Sequence, residues 1–333
     1  EEEEEKKKKK KSYHNAELEP MTIFELLVAW TTLLVVVGSF QIVFALVGGC
    51  ITYWLYTGSM QLPLTILLAL FSTVFVPVGY SETALHLPVW KYLHKYFGYR
   101  KINLGEEMLV NPEKRYMLVE YPHGSFPIAT VLIATYFDGH YNRYKSLGRT
   151  VRGLSATILS YIPLVRHLFA MLGSIPATKK NFLDAFETAG ACSVLPGGIA
   201  EMFMVEEDRE RIYFKKRFGY IKVALESGVE IIPVFHFGNS QVLRIIGRSG
   251  LLAFLSRRLK ISIMLPYGVF GLPIPFRQKI VSVVGKPIPV QKTPNPSREL
   301  VAKYQKKLET AIREMYENHR HEIGWEDRPL CIE

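Results

Sequence analysis

The chain has 333 residues, of which 48% are hydrophobic, and a formal net charge of +10. It can therefore bury a full-sized core, as one large domain or a domain with an appendage. Basic charge joined to this much apolar content favours an anionic membrane surface or a phosphorylated substrate over nucleic acid. Consistent with that, no RNA- or DNA-reading motif is present.

The first eleven residues, Glu1 to Lys11, form a low-complexity charge block that reads as disordered. A charge silence follows: no charged side chain and no histidine occurs between Glu25 and Glu82. Within it lie two apolar stretches, Leu26 to Tyr56 and Leu62 to Val78, separated by a short uncharged turn. A bilayer span needs roughly 20 apolar residues, with about 17 as a practical minimum. The first stretch exceeds that and the second just meets it, while Gly48-Gly49, Pro63 and Pro77 can bend either. Lys6 to Lys11 precede this interval, and Lys91, Lys95, Arg100 and Lys101 follow it. The positive-inside rule then puts both flanks on the cytosolic side of a transmembrane or re-entrant hairpin. A buried pair of core helices has the same composition.

From Ala84 to Asn111 an amphipathic linker mixes aromatics with lysine and arginine, which suits a bilayer interface or an ordinary surface helix. Beyond it strand and helix patterns alternate. Strands are expected over Tyr116–Tyr121, Leu154–Leu159, Cys192–Leu195, Ile212–Phe214, Glu230–Phe237 and Lys279–Val284. Helices are expected over Phe126–Phe137, Ile162–Leu172, Asn181–Thr188, Phe218–Glu226, Leu251–Leu259 and Ser297–Arg320. Such alternation predicts an α/β fold with a mixed, largely parallel sheet layered by helices. The expected organisation is a charged tail over residues 1–22, a membrane hairpin over 23–80, a cytosol-facing domain over 81–325 and a tail over 326–333.

Two turns carry the chemistry. Tyr121-Pro122-His123-Gly124 closes one apolar strand and Pro196-Gly197-Gly198-Ile199-Ala200-Glu201 closes another. If the strands are parallel neighbours, both turns emerge at the carboxyl edge of one sheet, where open α/β folds place their sites. His123 would precede a helix whose cap is Ser125, and the helix's positive end would keep the imidazole neutral and able to accept a proton. Gly197-Gly198 exposes main-chain N–H groups suited to an anion or a developing oxyanion. Glu201 would orient His123, contact a substrate hydroxyl or pair with an arginine. Arg209, Arg211, Lys215, Lys216, Arg217 and Lys222 form a basic concentration able to meet phosphates or lipid headgroups. No Gly-x-Ser-x-Gly elbow and no metal-ligand spacing occurs. Cys50, Cys192 and Cys331 are isolated, which suggests a reducing compartment.

These turns, together with Arg217-Phe218-Gly219-Tyr220, Pro233, Phe237-Gly238-Asn239, Gly268-Val269-Phe270 and Val283-Val284-Gly285-Lys286-Pro287-Ile288, occur in one order. The ordered set resembles the type-2 diacylglycerol acyltransferase family, which includes monoacylglycerol and wax-ester acyltransferases, over Ser81 to Glu322. The resemblance implies a glycerolipid acyltransferase-like fold in the endoplasmic-reticulum membrane, with both termini cytosolic and lipid droplets as a further location. It implies acyl transfer from acyl-CoA to diacylglycerol, with acyl-CoA as substrate and no cofactor or metal. His123 would be the catalytic base and Glu201 its companion. Tyr121, Pro122, Gly124, Pro196, Gly197, Gly198 and Asn239 would shape the oxyanion or substrate site, with Lys216 and Arg217 on the coenzyme A phosphates. Membrane lipid is then a partner, nucleic acid is not, and a homo-oligomer is compatible. The acceptor could instead be monoacylglycerol or a fatty alcohol, and a non-catalytic droplet-binding protein would use the same hairpin. Animal family members carry His at the place of Tyr121. Related glycerolipid acyltransferases carry Asp where this chain has Ile128, so a His–Asp dyad is absent and the group that orients His123 is left open.

Overall fold

A computed structural model describes residues 18–105, 114–136, 151–246, 254, 258 and 265–333. The N-terminal charge block lies outside these residues, as does nearly all of the helix expected over Leu251–Leu259. The apolar interval folds as a 35-residue helix, α1 (Ile23–Thr57), and a 12-residue helix, α2 (Gln61–Ser72). Thr22 and Glu25 cap α1 reciprocally, and Gly58 ends it in the left-handed conformation. At 1.5 Å per residue α1 is about 52 Å long, well beyond a hydrocarbon core of about 30 Å. Its first half is not free for lipid on all sides. Ala29, Leu33, Val36 and Val37 are buried against the domain, whereas Leu55 and Tyr56 near its end are exposed.

The second apolar stretch is helical over fewer residues than expected. After α2 a 3-10 turn covers Thr73–Phe75, and the Arg166 guanidinium then takes the carbonyls of Thr73, Val74 and Val76. Those carbonyls are lost to any continuing helix. Among the described residues α1 alone is long and apolar enough to cross a membrane.

The linker after the hairpin holds helix α3 (Trp90–Tyr96) and an edge strand, β1 (Arg100–Asn103), which the interleaved lysines and aromatics obscure in the sequence. The central strands are β2 (Tyr116–Tyr121), β3 (Arg152–Ser155), β4 (Ser174–Pro176), β5 (Ala191–Val194), β7 (Glu230–Phe237) and β10 (Val281–Val284). With β1 they form one seven-stranded sheet in the order β1-β10-β7-β2-β5-β3-β4. Only the β10–β7 pair is antiparallel, so the sheet is mixed and largely parallel as expected. All residues of β2, β5 and β10 are buried, which fits strands covered on both faces and explains their unbroken apolar runs.

Helices α1, α3 and α4 (Ile128–Ala134) cover one face, packing Leu33, Leu93 and Leu132 on Leu118 and Val234 of the sheet. On the other face α6 (Lys179–Thr188), α8 (Gly219–Ser227) and α9 (Arg298–His319) pack Phe182, Ile221, Leu308 and Ile312 on Met117, Val119 and Val283. Helix α5 (Val165–Met171) begins later than expected, because Pro163 and the positive φ of Leu164 keep the preceding segment out of the helix. The strand expected over Leu154–Leu159 stops at Ser155 and gives way to a 3-10 turn, Thr157–Tyr161.

Outside the main sheet, β6 (Glu210–Ile212) pairs with β11 (Leu330–Ile332), and β8 (Arg244–Ile246) with β9 (Leu265–Tyr267). Residues 326–333, taken from the sequence as a tail, are thus tied into the domain. Arg328 reinforces this: it is buried, paired with Glu210 and donates to the carbonyls of Glu206, Glu207 and Arg209.

Candidate active site

Because β7, β2 and β5 are parallel neighbours, their carboxyl ends deliver three turns to one edge. These are the His123 turn, the Pro196-Gly197-Gly198 turn and Gly238-Asn239. The first begins with a cis Tyr121–Pro122 peptide. His123 Nδ1 lies 3.0 Å from the Gly124 carbonyl. A carbonyl only accepts, so Nδ1 carries the proton and donates it, which leaves the Nε2 lone pair bare. The main chain of the next residue therefore does the orienting that an Asp at position 128 performs in the His–Asp arrangement. Burial holds the His123 pKa below the ordinary imidazole value, although the Gly124 bond opposes this. The ring is neutral near pH 7, as a general base must be.

Helix α4 does not begin as the sequence suggested. Its N-cap is Pro127, and buried Ser125 donates instead to the Leu243 carbonyl at 3.2 Å. The cap comes from another turn: Asn239 Oδ1 accepts from Ala129 N at 3.0 Å. The amide of Asn239 also donates to the carbonyls of His123 at 3.0 Å and Pro122 at 3.3 Å. Asn239 is fully buried with both ends engaged, so it clamps the histidine turn and has no face left for substrate. Gly124 (φ +62°) lies against it, and a Cβ there would sit 2.9 Å from the Asn239 amide nitrogen. Only glycine suits that position.

Glu201 is likewise a clamp. A short helix, α7 (Gly198–Met202), carries it from the second turn, and its Oε2 accepts from His123 N at 2.5 Å while Oε1 accepts from Tyr213 N at 2.8 Å. It holds the main chain of His123 rather than the ring, and it has no ion pair among the described residues. To reach His123 its carboxyl folds over Gly197, where a Cβ would fall 2.0 Å from Glu201 Cδ. Burial pushes the Glu201 pKa up to about 8 against the pull of the two N–H donors, with Glu210 adding to the rise.

His123 and Gly198 line one apolar cavity of about 190 Å³. Its walls also include Phe126, Leu154, Ile158 and Phe169, and, from α1, Val37, Phe40 and Phe44. The last three escape the sequence reading, because an apolar residue facing a cavity and one facing lipid look alike. Tyr121 points the other way: its ring packs on Phe214 and its hydroxyl lies 3.4 Å from that of Tyr220, both in the core. Pro122 is buried beneath the turn and Pro196 is half-buried at the start of the other.

Arg209, Arg211 and Lys222 are paired with carboxylates. Lys215, Lys216 and Arg217 are exposed and have no ion pair among the described residues, with Arg217 above the Tyr213 ring at 5.5 Å. They lie outside the histidine cavity. The cysteines are free thiols, and among the described residues no group of three or more His, Cys, Asp or Glu could hold a metal ion.

A family model described as diacylglycerol acyltransferase matches residues 58–333. Diacylglycerol O-acyltransferase 2-like protein 6 of Mus musculus is 27% identical over 256 residues, 71% of this chain and 74% of that protein. 2-Acylglycerol O-acyltransferase 1 of Bos taurus is 27% identical over 272 residues, 76% and 78% of the two chains. Acyl-CoA wax alcohol acyltransferase 2 of Mus musculus is 26% identical over 256 residues, 71% and 74%. Among solved structures, a 1-acyl-sn-glycerophosphate acyltransferase from Thermotoga maritima aligns with a TM-score of 0.42 and 13% identity, covering 89% of this chain and 97% of that one.

Proposed function

The chain belongs to the diacylglycerol acyltransferase family, and from that premise we propose that it transfers a fatty acyl group from acyl-CoA to the free hydroxyl of diacylglycerol, giving triacylglycerol and CoA. His123 Nε2 takes the hydroxyl proton as the oxygen attacks the thioester carbonyl. Main-chain N–H groups around Gly197 and Gly198 receive the oxyanion. The C–S bond then breaks, and the imidazolium returns its proton to the departing sulfur. Glu201 and Asn239 hold the histidine turn in place, and neither touches the reacting atoms. No metal or cofactor enters the sequence of steps.

The observation that carries this reading is the His123 ring itself: Nδ1 fixed by a carbonyl, Nε2 bare, and the ring on the wall of an apolar cavity. Helix α1 forms part of that wall, so a lipid alcohol can reach the base from the bilayer without crossing water. Supplying labelled acyl-CoA with diacylglycerol, monoacylglycerol or a long-chain alcohol to microsomes containing the protein tests the proposal. Labelled triacylglycerol from diacylglycerol is the expected product, and the absence of any labelled ester from every acceptor would overturn the reading. Relatives named for 2-acylglycerol and wax alcohol favour those acceptors as second readings. We also place the chain at the endoplasmic-reticulum membrane and on droplets, with both termini cytosolic. Protection of a tag on either terminus from added protease in sealed microsomes would reverse that topology.

A further inference from the structure

The proposed chemistry leaves unused a polar group buried in the sheet face toward α1. Glu120 on β2, His236 on β7 and Ser282 on β10 stand on three adjacent strands, each with at most 1% of its surface exposed. His236 Nε2 is 3.1 Å from Glu120 Oε2, and its Nδ1 is 2.8 Å from Ser282 Oγ. Thr130 donates to the same Glu120 oxygen at 2.6 Å. Two donors thus converge on Oε2. The other oxygen, Oε1, makes no hydrogen bond of ordinary geometry among the described residues, and neither does the hydroxyl of buried Ser193 on β5, the strand flanking β2 on the opposite side, although that hydroxyl faces the Glu120 carboxyl. Buried polar atoms are rarely left so.

Glu120 and Ser193 both line a cavity of about 110 Å³. Phe126, Pro127, Leu154, Ser155, Phe169 and Leu195 wall both this cavity and the one that holds His123. Burial alone would raise the Glu120 pKa, but His236, Thr130 and the facing Ser193 hydroxyl outweigh it and bring the carboxyl below its ordinary range. Oε1 therefore only accepts, while the Ser193 hydroxyl both donates and accepts. The complement is an alcohol O–H, which donates to Oε1 and accepts from Ser193. An ester carbonyl would set oxygen against oxygen.

We propose that Glu120 and Ser193 form a second, alcohol-binding site, which holds the non-reacting hydroxyl of an acceptor carrying two free hydroxyls while the other hydroxyl reaches His123. The site extends the acceptor range to monoacylglycerols and distinguishes a free hydroxyl from an ester. This rests on the acyl-transfer reading above, and the transfer step is unchanged.

The test compares kcat/KM for a 2-monoacylglycerol with that for a long-chain primary alcohol, using one acyl-CoA and the full-length membrane enzyme. The ratio of the two is expected to fall about tenfold or more in Glu120→Gln, since hydrogen bonds to charged groups are the stronger kind, and severalfold in Ser193→Ala. Ser193→Ala leaves the Glu120–His236–Ser282 bonds in place, so it decides the matter alone if Glu120→Gln does not fold. A ratio equal to wild type in Ser193→Ala and in any folded Glu120→Gln would overturn the site and leave acyl transfer standing. Wild-type enzyme that esterifies neither alcohol nor diacylglycerol would overturn both.

Discussion

The Glu201 carboxyl group takes the main-chain N–H of His123 at 2.5 Å and, through its other oxygen, that of Tyr213 at 2.8 Å. One side chain therefore ties the turn after β2 to the segment after β6. An amide has a single acceptor, so Glu201→Gln must turn its NH₂ toward one of two main-chain donors. We expect a loss of about 1–3 kcal/mol in stability from the stranded donor and a fall in activity smaller than that of His123→Ala. Thermal inactivation of the solubilised enzyme reads the first, and a wild-type inactivation curve would deny Glu201 the clamp. The pH dependence has a defined sign. With the folded pKa near 8 and the ordinary value at 4.5, proton uptake stabilises the fold fully below 4.5, and that contribution is lost as pH rises through 8. Inactivation temperature should decline from pH 6 to pH 9 in the wild type and less steeply in Glu201→Gln.

For His123 the expectation is loss of chemistry with retained insertion. General base catalysis contributes roughly 10²- to 10⁴-fold, so His123→Ala should lose about that factor in kcat. Carbonate-resistant membrane association should persist, since α1 and α2 are untouched. Because burial lowers the imidazole pKa, the base stays unprotonated below its ordinary titration range. The acid limb of the kcat/KM profile should therefore lie below pH 6.5. An acid limb above that value, or full activity in the variant, would remove His123 from the mechanism.

Asn239→Asp tests the second clamp with almost no change of shape. The substitution replaces an N–H donor facing the carbonyls of Pro122 and His123 with a carboxylate oxygen. Two acceptors then oppose a buried charge. We expect a cost of several kcal/mol, by analogy with other uncompensated buried charges, and loss of kcat as the turn shifts. Asn239→Ala, which strands the same groups without adding charge, should lose less. Equal losses in the two variants would show that donor direction is unimportant here.

Lys216 and Arg217 stay candidates for the coenzyme A phosphates on exposure alone. Reversing both to Glu should raise KM for acyl-CoA about tenfold with little change in kcat, the mark of binding that is equal in ground and transition states. In the wild type KM should climb with ionic strength as screening grows, and in the double variant that slope should flatten. A KM that ignores both charge and salt would assign the cluster to solvent.

Much of this arrangement is legible in the sequence, and the exceptions share a cause. The ends of β2 and β5 fall at, or within a residue of, the places where the apolar runs meet Pro-His-Gly and Pro-Gly-Gly, because a turn must follow a buried strand. Parallel alternation then puts both turns on one edge. The capping of α4 by Asn239 is invisible, since the two segments lie 110 residues apart and only their juxtaposition makes the bond. The same holds for Glu120, His236 and Ser282, which become neighbours through strand order alone. The double role of α1 is hidden for a chemical reason. Lipid and protein core demand the same side chains, so no periodicity separates Val37 on the cavity wall from Leu55 at the exposed end.

That double role yields the last expectation. Val37 belongs to the apolar helix yet is 1% exposed and lines the His123 cavity. Enlarging it to Trp should fill much of a space of about 190 Å³ without touching His123, Glu201 or Asn239. If the cavity receives the acyl chain, transfer from a long-chain acyl-CoA should fall well below transfer from a medium-chain one, with the ratio changing several-fold. Overpacking costs typically 1–3 kcal/mol, roughly independent of substrate, so a stability loss alone would lower both rates together. The chain-length ratio separates the two effects. A ratio equal to that of the wild type would mean that α1 bounds a space the acyl chain does not enter.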